Sequence, residues 1–290
     1  MPTATLQSPK ELTNFALGKL TTLGTLPEVT NKIISTVEDP RSSAAQLHKI
    51  VSHDPALVTR ILKVVNSAFY GLPGQVGSVD RAIVLLGLNA VKNISIATSL
   101  GQMFRTTKLC EGYTAKDLWT HCIAVAICSR ELAKRAKLPI AEEAFLAGMI
   151  HDVGILVSLQ TWPEQLRAVC DSAQSGQQSF VELENQIIGV DHQVLGKALA
   201  EKWQFPLPCQ LVAGHHHDPA AMPEGSRALV SIVHVADTLC AKAGFGFGLT
   251  AKMQTVTPAH CAVINIDPAS VEEFAKTLPD IIANASALLA

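Results

Sequence analysis

Apolar positions recur along this chain at helical spacing almost throughout. Leu57, Ile61, Leu62 and Val65 line one face, Leu118, Ile123, Ala126 and Ile127 a second, and Leu195, Leu199 and Trp203 a third. Alternating β-branched runs bounded by tight turns are missing, so the pattern predicts an all-α protein. Helix starts carry polar caps. Asp54-Pro55 places an acidic cap before a proline at the first helical position. Asp39-Pro40 precedes Ser42-Ser43, and Ser78-Val79-Asp80 opens the segment running into AIVLLGL. Thr114 precedes AKDLWTHCIAVAICSRELAKRA, a long helix whose last turn is basic (Lys134, Arg135, Lys137) and which Pro139 stops.

These breaks divide the chain. Residues 1–110 read as an N-terminal bundle of short helices, with a loop at Gly71, Pro73, Gly74 and Gly77 that no helix can cross. Residues 111–245 hold longer helices. Residues 246–290 follow as a Gly-rich loop and C-terminal helices, the excursion itself starting at GFGFG near residue 244. No repeat of fixed period is present.

Composition narrows the classes. With 48% hydrophobic and 17% charged residues in a 290-residue chain, there is ample material for a core. The formal net charge of -2 gives no broad pull toward nucleic acid or an anionic membrane, and no nucleic-acid partner is expected. No run reaches the ~18 apolar residues of a membrane span, and the N-terminus lacks a signal-peptide core. The seven cysteines are odd in number, form no CxxC pair and mostly sit in apolar context, as thiols in a reducing cytosol do. A cytoplasmic location is therefore expected.

The chemistry is concentrated in histidine and aspartate inside apolar sequence. His151-Asp152 interrupts AFLAGMIHDVGIL. On a helix the two diverge by about 100°, so they share an ion only if it lies over the edge between them. A buried carboxylate without a partner costs several kcal/mol, so Asp152 needs a cation. Asp117 and His121, at i and i+4, can meet one ion, or Asp117 can orient His121. His192 follows Asp191, a cap for QVLGKALAEKW, and stands in the first helical turn. His215-His216-His217 ends a helix that begins near Pro206, and the three cannot all face one way. Asp237, with His234 one turn before it, is a lone acid in RALVSIVHVADTLC. Imidazole and carboxylate together suit iron, manganese, zinc or a similar divalent ion.

The order H…HD…H…HH…D resembles the HD superfamily of metal-dependent phosphohydrolases. Its minimal signature H…HD…D maps to His121, His151, Asp152 and Asp237. His192, His216 and His217 resemble the extra ligands of the binuclear HD-GYP branch, which cleaves cyclic di-GMP, and Asp117 stands where that branch can place a further acidic ligand. The first half narrows the likeness. Leu26-Pro27, Asp54-Pro55, Asn66-Ser67-Ala68, Tyr70-Gly71, the 78–87 segment and Leu88 resemble the HDOD domain, the HD-related output domain of bacterial signalling proteins, over residues 20–225. The resemblance implies an N-terminal bundle packed on an HD-like helical bundle that holds one or two divalent ions. His53-Asp54 imitates an HD pair, but Asp54 belongs to the helix start, and Asn66 is expected to bond backbone near the GLPG loop.

Two departures bear on activity. HD-GYP proteins carry HDxGK, whose lysine holds substrate phosphate. Here the sequence is HDVGI, with Ile155 at that place, and AGHHHDPAAMPEG contains no Gly-Tyr-Pro. The resemblance therefore implies a bacterial signal-transduction module with a bound divalent metal, acting through a signalling protein partner. The alternative is a phosphohydrolase of nucleotides or cyclic dinucleotides, using water on the metal with Asp152. No receiver, kinase or GGDEF-like segment precedes residue 20, so any input is expected from elsewhere.

Overall fold

The computed structural model describes residues 8–21, 26–37, 39, 41–104 and 107–285. Local capping sets the helix ends of its first half. Ser8 and Glu11 cap α1 (Pro9–Lys19) reciprocally, and Ser43 and Gln46 do the same for α3 (Ala44–Ser52), which follows α2 (Glu28–Val37). Asp54 accepts from Leu57 at the start of α4 (Pro55–Val65), which confirms its structural role, and Ser78 caps α5 (Val79–Leu86). After α4, Asn66 donates to the carbonyls of Leu62 and Val76 and accepts from the Val76 amide, so it pins the intervening loop from both sides. Helix α6 (Leu88–Leu100) is buried on nearly every face, and α2, α3, α4 and α5 pack around it. Even Lys92 is buried there. Its ammonium donates to the carbonyl of Thr36 at the end of α2 and to Ser42 Oγ at 2.7 Å.

A short antiparallel hairpin, β1 (Lys108–Cys110) and β2 (Tyr113–Thr114), leads into the second half. The helical pattern gave no sign of it. Three-residue and two-residue strands are too short to show a period, and the left-handed φ of 80° at Gly112 makes the turn. Next come α7 (Ala115–Arg135), α8 (Ala141–Ile150), α9 (Gly154–Thr161), α10 (Pro163–Ala173) and α11 (Phe180–Ile187). They are followed by α12 (His192–Lys202), α13 (Leu207–His215), α14 (Glu224–Lys242), α15 (Pro258–Val263) and α16 (Pro268–Asn284). Helix α7 lies against both α8 and α14, and α12 lies against α9 and α13.

The two halves meet at a charged bolt. Asn93 on α6 donates to the carbonyl of Glu142 at 2.8 Å, and the Glu142 carboxylate receives Arg130 Nε at 2.7 Å. The Arg130 guanidinium also lies over the rings of Phe69 and Tyr70. Glu142 starts α8, and α8 ends at the His-Asp pair, so this bolt anchors the helix that delivers the pair. The segment Ala141–Thr161 is long and apolar enough to cross a membrane by composition, but 83% of its most apolar stretch is buried within the protein as core. All seven cysteines are buried and none is in a disulfide.

Candidate metal centre

His151 and Asp152 do not sit within a continuous helix. Helix α8 stops at Ile150, His151 is its C-cap, and α9 begins at Gly154. The chain turns at the pair, so imidazole and carboxylate face one interior point instead of diverging. Gly154 permits the turn. Its α-carbon packs on the first turn of α12 so closely that a Cβ would fall 2.0 Å from the carbonyl oxygen of His192. Asp191 caps α12 by accepting from Val194, which places His192 in the first turn, fully buried and not at the surface.

Six side chains converge with Asp152. His121 comes from the middle of α7, Asp237 from α14, His192 from α12, and His216 and His217 from the end of α13. His151, His121 and Asp237 form one cluster and Asp152, His192, His216 and His217 another. Within each cluster the donor atoms lie within 4.8 Å of one another. That suits donors around an ion at about 2.0–2.3 Å, which stand at most about twice that distance apart. Asp152 faces both clusters. Its Oδ2 is 3.4 Å from Nε2 of His151 and 3.9 Å from Nε2 of His121. Its Oδ1 is 3.3 Å from Nε2 of both His192 and His216. His121 Nε2 meets Asp237 Oδ1 at 2.9 Å.

The imidazoles are oriented from behind. Nδ1 of His151 donates to the carbonyl of Gly148 at 2.8 Å, Nδ1 of His216 to that of Val212 at 3.1 Å, and Nδ1 of His121 to that of Phe245 at 3.1 Å. His192 Nδ1 donates to the buried carboxylate of Glu184 at 2.5 Å. With Nδ1 engaged, each Nε2 is turned to the centre, where it offers a lone pair to an ion that displaces any proton there, the arrangement by which proteins orient metal-binding histidines. His234 fixes the turn that carries two of them, donating to the carbonyl of His216 at 2.8 Å. His215 points away and is half-buried.

Charge follows the same geometry. Burial raises Asp152's pKa, but the facing His151, His216 and His192 outweigh that and hold its carboxyl well below the usual range. Burial lowers the His192 pKa, while Glu184 raises it more, to a net value of about 9. His151 is raised as well, because Asp152 and Asp237 overcome its burial. His216 is lowered by burial, and His217 lies well below the usual histidine value through burial with His216 and His192 beside it. Nε2 of His151 and Oδ1 of Asp152 are buried without a hydrogen-bond partner. The 3.3 Å approaches to Oδ1 are close but poorly aligned for hydrogen bonding. Two orphaned buried donors in a wall of histidine and carboxylate fit a divalent cation.

Asp117 is the one candidate ligand that the structure places elsewhere. Its carboxylate accepts from the amide and hydroxyl of Thr114, at 2.7 and 2.6 Å, and closes the capping box of α7. It neither enters a cluster nor touches the His121 ring. The spacing Thr-x-x-Asp satisfies a helix N-terminus, and that local demand wins over the i,i+4 pairing with His121.

Three other side chains that touch the cluster gave no signal in the sequence. Glu184 backs His192 from eight positions upstream. Thr250 donates to Asp152 Oδ2 at 2.9 Å, and Gln254 donates to Asp237 Oδ2 at 3.1 Å and contacts His217 Nδ1. Thr250 and Gln254 belong to the Gly-rich excursion, which runs over the centre as a strap. Gly246, at φ 64°, lets the strap lie on α7, where a Cβ would fall 2.2 Å from the carbonyl oxygen of Asp117.

The HDOD domain model matches residues 23–219, about two thirds of the chain and most of the ligand set. The chain belongs to the HDOD family. A relative from Treponema pallidum (strain Nichols), named only as an uncharacterized protein, is 25% identical over 216 residues, and this HDOD chain spans 41% of that relative's length. Among solved structures, an HDOD domain protein of unknown function from Geobacter sulfurreducens superposes with a TM-score of 0.83 at 22% identity, covering 96% of this chain and 97% of that one. A protein from Marinobacter aquaeolei VT8, provisionally named for signal transduction, gives 0.79 at 23% identity and covers 97% of this chain and 65% of its own. One from Shewanella amazonensis SB2B, provisionally named a phosphohydrolase, gives 0.74 at 23% identity over 99% and 100%. At these identities the likeness establishes the all-α HDOD fold. Asp237, Thr250 and Gln254 lie beyond the stretch that the family model matches.

Proposed function

We propose that this HDOD chain is a metal-binding regulatory module. Its buried centre takes one or two divalent ions, and the protein acts on a signalling protein partner instead of turning over a phosphoester. Closure of the centre carries this reading. Six of the seven converging side chains have no solvent exposure, and the strap lies across them. Among the described residues, their side-chain partners are histidine, carboxylate, Gln254, Thr250 and backbone groups, with no lysine or arginine to grip a phosphate. Ile155, where HD-GYP proteins carry that lysine, is fully buried in the core. An ion bound there would tie α7, α8, α12, α13 and α14 together and stabilise one arrangement of the bundle. The test is a paired measurement on protein stripped and then reloaded with manganese or iron. A raised melting temperature without hydrolysis of cyclic dinucleotides or nucleotides supports the proposal. Robust hydrolysis that His151→Ala abolishes refutes it.

A second reading, metal-dependent phosphohydrolysis, is favoured by the reach of Asp152 into both clusters, since a carboxylate between two ion positions is the arrangement that two-metal hydrolases use. Divalent ions would supply Lewis acidity to water and to a phosphoryl oxygen. Asp152 would hold the two positions at a fixed separation, and Thr250 and Gln254 would have to swing out with the strap to admit a nucleotide.

A further inference from the structure

Two of the buried cysteines face each other across a joint on which the strap rests. Cys110 ends β1, and Cys170 lies on α10, which packs against that strand. The Cys170 thiol donates a hydrogen bond to the sulfur of Cys110. That bond holds the Cys110 thiol below its ordinary value and the Cys170 thiol above its own. The thiolate is the reactive form, so the pair divides into a nucleophile at Cys110 and a proton-bearing partner at Cys170. Cys110 stands one residue before an exposed turn, Glu111-Gly112. A cleft of about 710 Å³ lined by Glu111, Gly112, Gln174 and Lys252 opens beside that turn. Strands of three and two residues hold little on their own, so the hairpin opens at low cost and admits a small oxidant. A second pair of thiols, Cys128 on α7 and Cys240 on α14, differs. Both are fully buried between two long helices, and burial pushes the Cys240 thiol well up, which keeps it inert.

Other contacts cross the same joint. Gln174, one turn after Cys170, donates its side-chain amide to the carbonyl of Glu111 at 3.5 Å. Lys252 of the strap donates to the carbonyl of Gln174 at 2.6 Å. Lys252 stands midway between Thr250 and Gln254, the strap residues that bond Asp152 and Asp237. Hairpin, α10 and strap are therefore tied in series. We propose that Cys110 and Cys170 form an oxidative modification site, where a peroxide makes a disulfide that clips the hairpin to α10 and holds the strap closed over the centre. The effect on the centre rests on the metal-binding reading above. The Cys110 sulfur attacks one oxygen of hydrogen peroxide: an S–O bond forms, the O–O bond breaks, and the thiol proton leaves with the departing oxygen as water. The Cys170 sulfur then attacks that of Cys110: the S–S bond forms, the S–O bond breaks, and the Cys170 proton leaves with the oxygen as a second water. The two thiols are oxidised and the peroxide is reduced. A reducing compartment returns the pair to thiols, which makes the clip reversible.

The test uses the full chain, reduced, loaded with zinc and then treated with hydrogen peroxide. Peptide mass mapping without reductant should show Cys110 joined to Cys170. Amide hydrogen exchange over residues 246–254 should slow, and release of zinc to a chromophoric chelator should slow about tenfold, within reach of a disulfide that closes a joint. A phosphine reductant should reverse all three, a comparison within the wild-type chain that needs no variant to fold. Cys110→Ser and Cys170→Ala should each abolish the bond and both changes in rate. The inference is overturned if peroxide leaves both thiols free, carries Cys110 on to sulfinic acid, joins Cys128 to Cys240 instead, or makes the bond without slowing exchange in the strap. A chain that takes up no zinc overturns the metal reading alone, and the mapped bond and the strap amides still decide the redox site.

Discussion

Gly154 and His192 are in backbone contact: a Cβ on Gly154 would fall 2.0 Å from the carbonyl oxygen of His192 and 2.7 Å from the amide of Gly196. This contact seats the turn carrying His151 and Asp152 against the helix carrying His192. Gly154→Ala cannot be accommodated by a flexible side chain, because both neighbours are backbone. Overpacking of this kind costs about 1–3 kcal/mol, so the melting temperature should fall by about 2–10 °C. Metal capacity should fall with it, because the two ligand-bearing elements are pushed apart. An unchanged melting curve would mean that the two helices are not so close.

Asp152 and Asp117 separate ligand from cap. Asp152→Ala removes the group that faces both clusters and should reduce bound metal to background. Asp117→Ala loses the capping box with Thr114, a cost of about 1 kcal/mol, with metal stoichiometry unchanged. Elemental analysis of the two purified variants checks both outcomes at once.

How much of this was legible beforehand differs from residue to residue. His121, His151, Asp152, His192, His216, His217 and Asp237 stood out because strong ligands in apolar runs conflict with their surroundings, and the centre they converge on supplies the reason. Asp117 stood out equally, for an ordinary reason: it caps a helix three residues after Thr114. The break after Ile150 was hidden, because AFLAGMIHDVGIL is apolar enough to read as one helix, and only the tertiary contact at Gly154 explains the turn. Glu184, Thr250 and Gln254 could not be found from pattern. Glu184 lies in an ordinary amphipathic helix, and the other two sit in a loop whose route is fixed by packing on α7, 98 residues from Asp152 in the case of Thr250.

Glu184→Gln keeps the size of the side chain but removes the charge behind His192. Partners at this remove from an ion are worth about 10–100-fold in affinity, and a loss in that range is expected by competition with a chromophoric chelator. A loss below twofold would mean that His192 is oriented without Glu184.

Metal affinity should rise with pH. In the metal-free protein Glu184 holds His192 protonated up to about 9, and His151 is raised by Asp152 and Asp237. An ion must displace those protons, so apparent affinity climbs through neutral pH and levels off above about 9. The stability of the metal-free chain runs the opposite way. The His192 pKa in the folded state is above the ordinary histidine value of 6.5, so its contribution is complete below 6.5 and is lost as pH rises through about 9. Titrations and thermal melts at pH 6, 7.5 and 9 should therefore show affinity increasing while metal-free stability declines.

Whether the buried cluster holds an ion is read most directly from the metal content of the full chain, purified without chelator and again after reconstitution with manganese, iron or zinc. Between one and two equivalents of divalent metal per chain are expected, lost in Asp152→Ala and retained in Asp117→Ala. Less than about a tenth of an equivalent in the wild-type protein, unresponsive to reconstitution, would contradict this, because the buried histidines and aspartates would then be holding one another and not an ion.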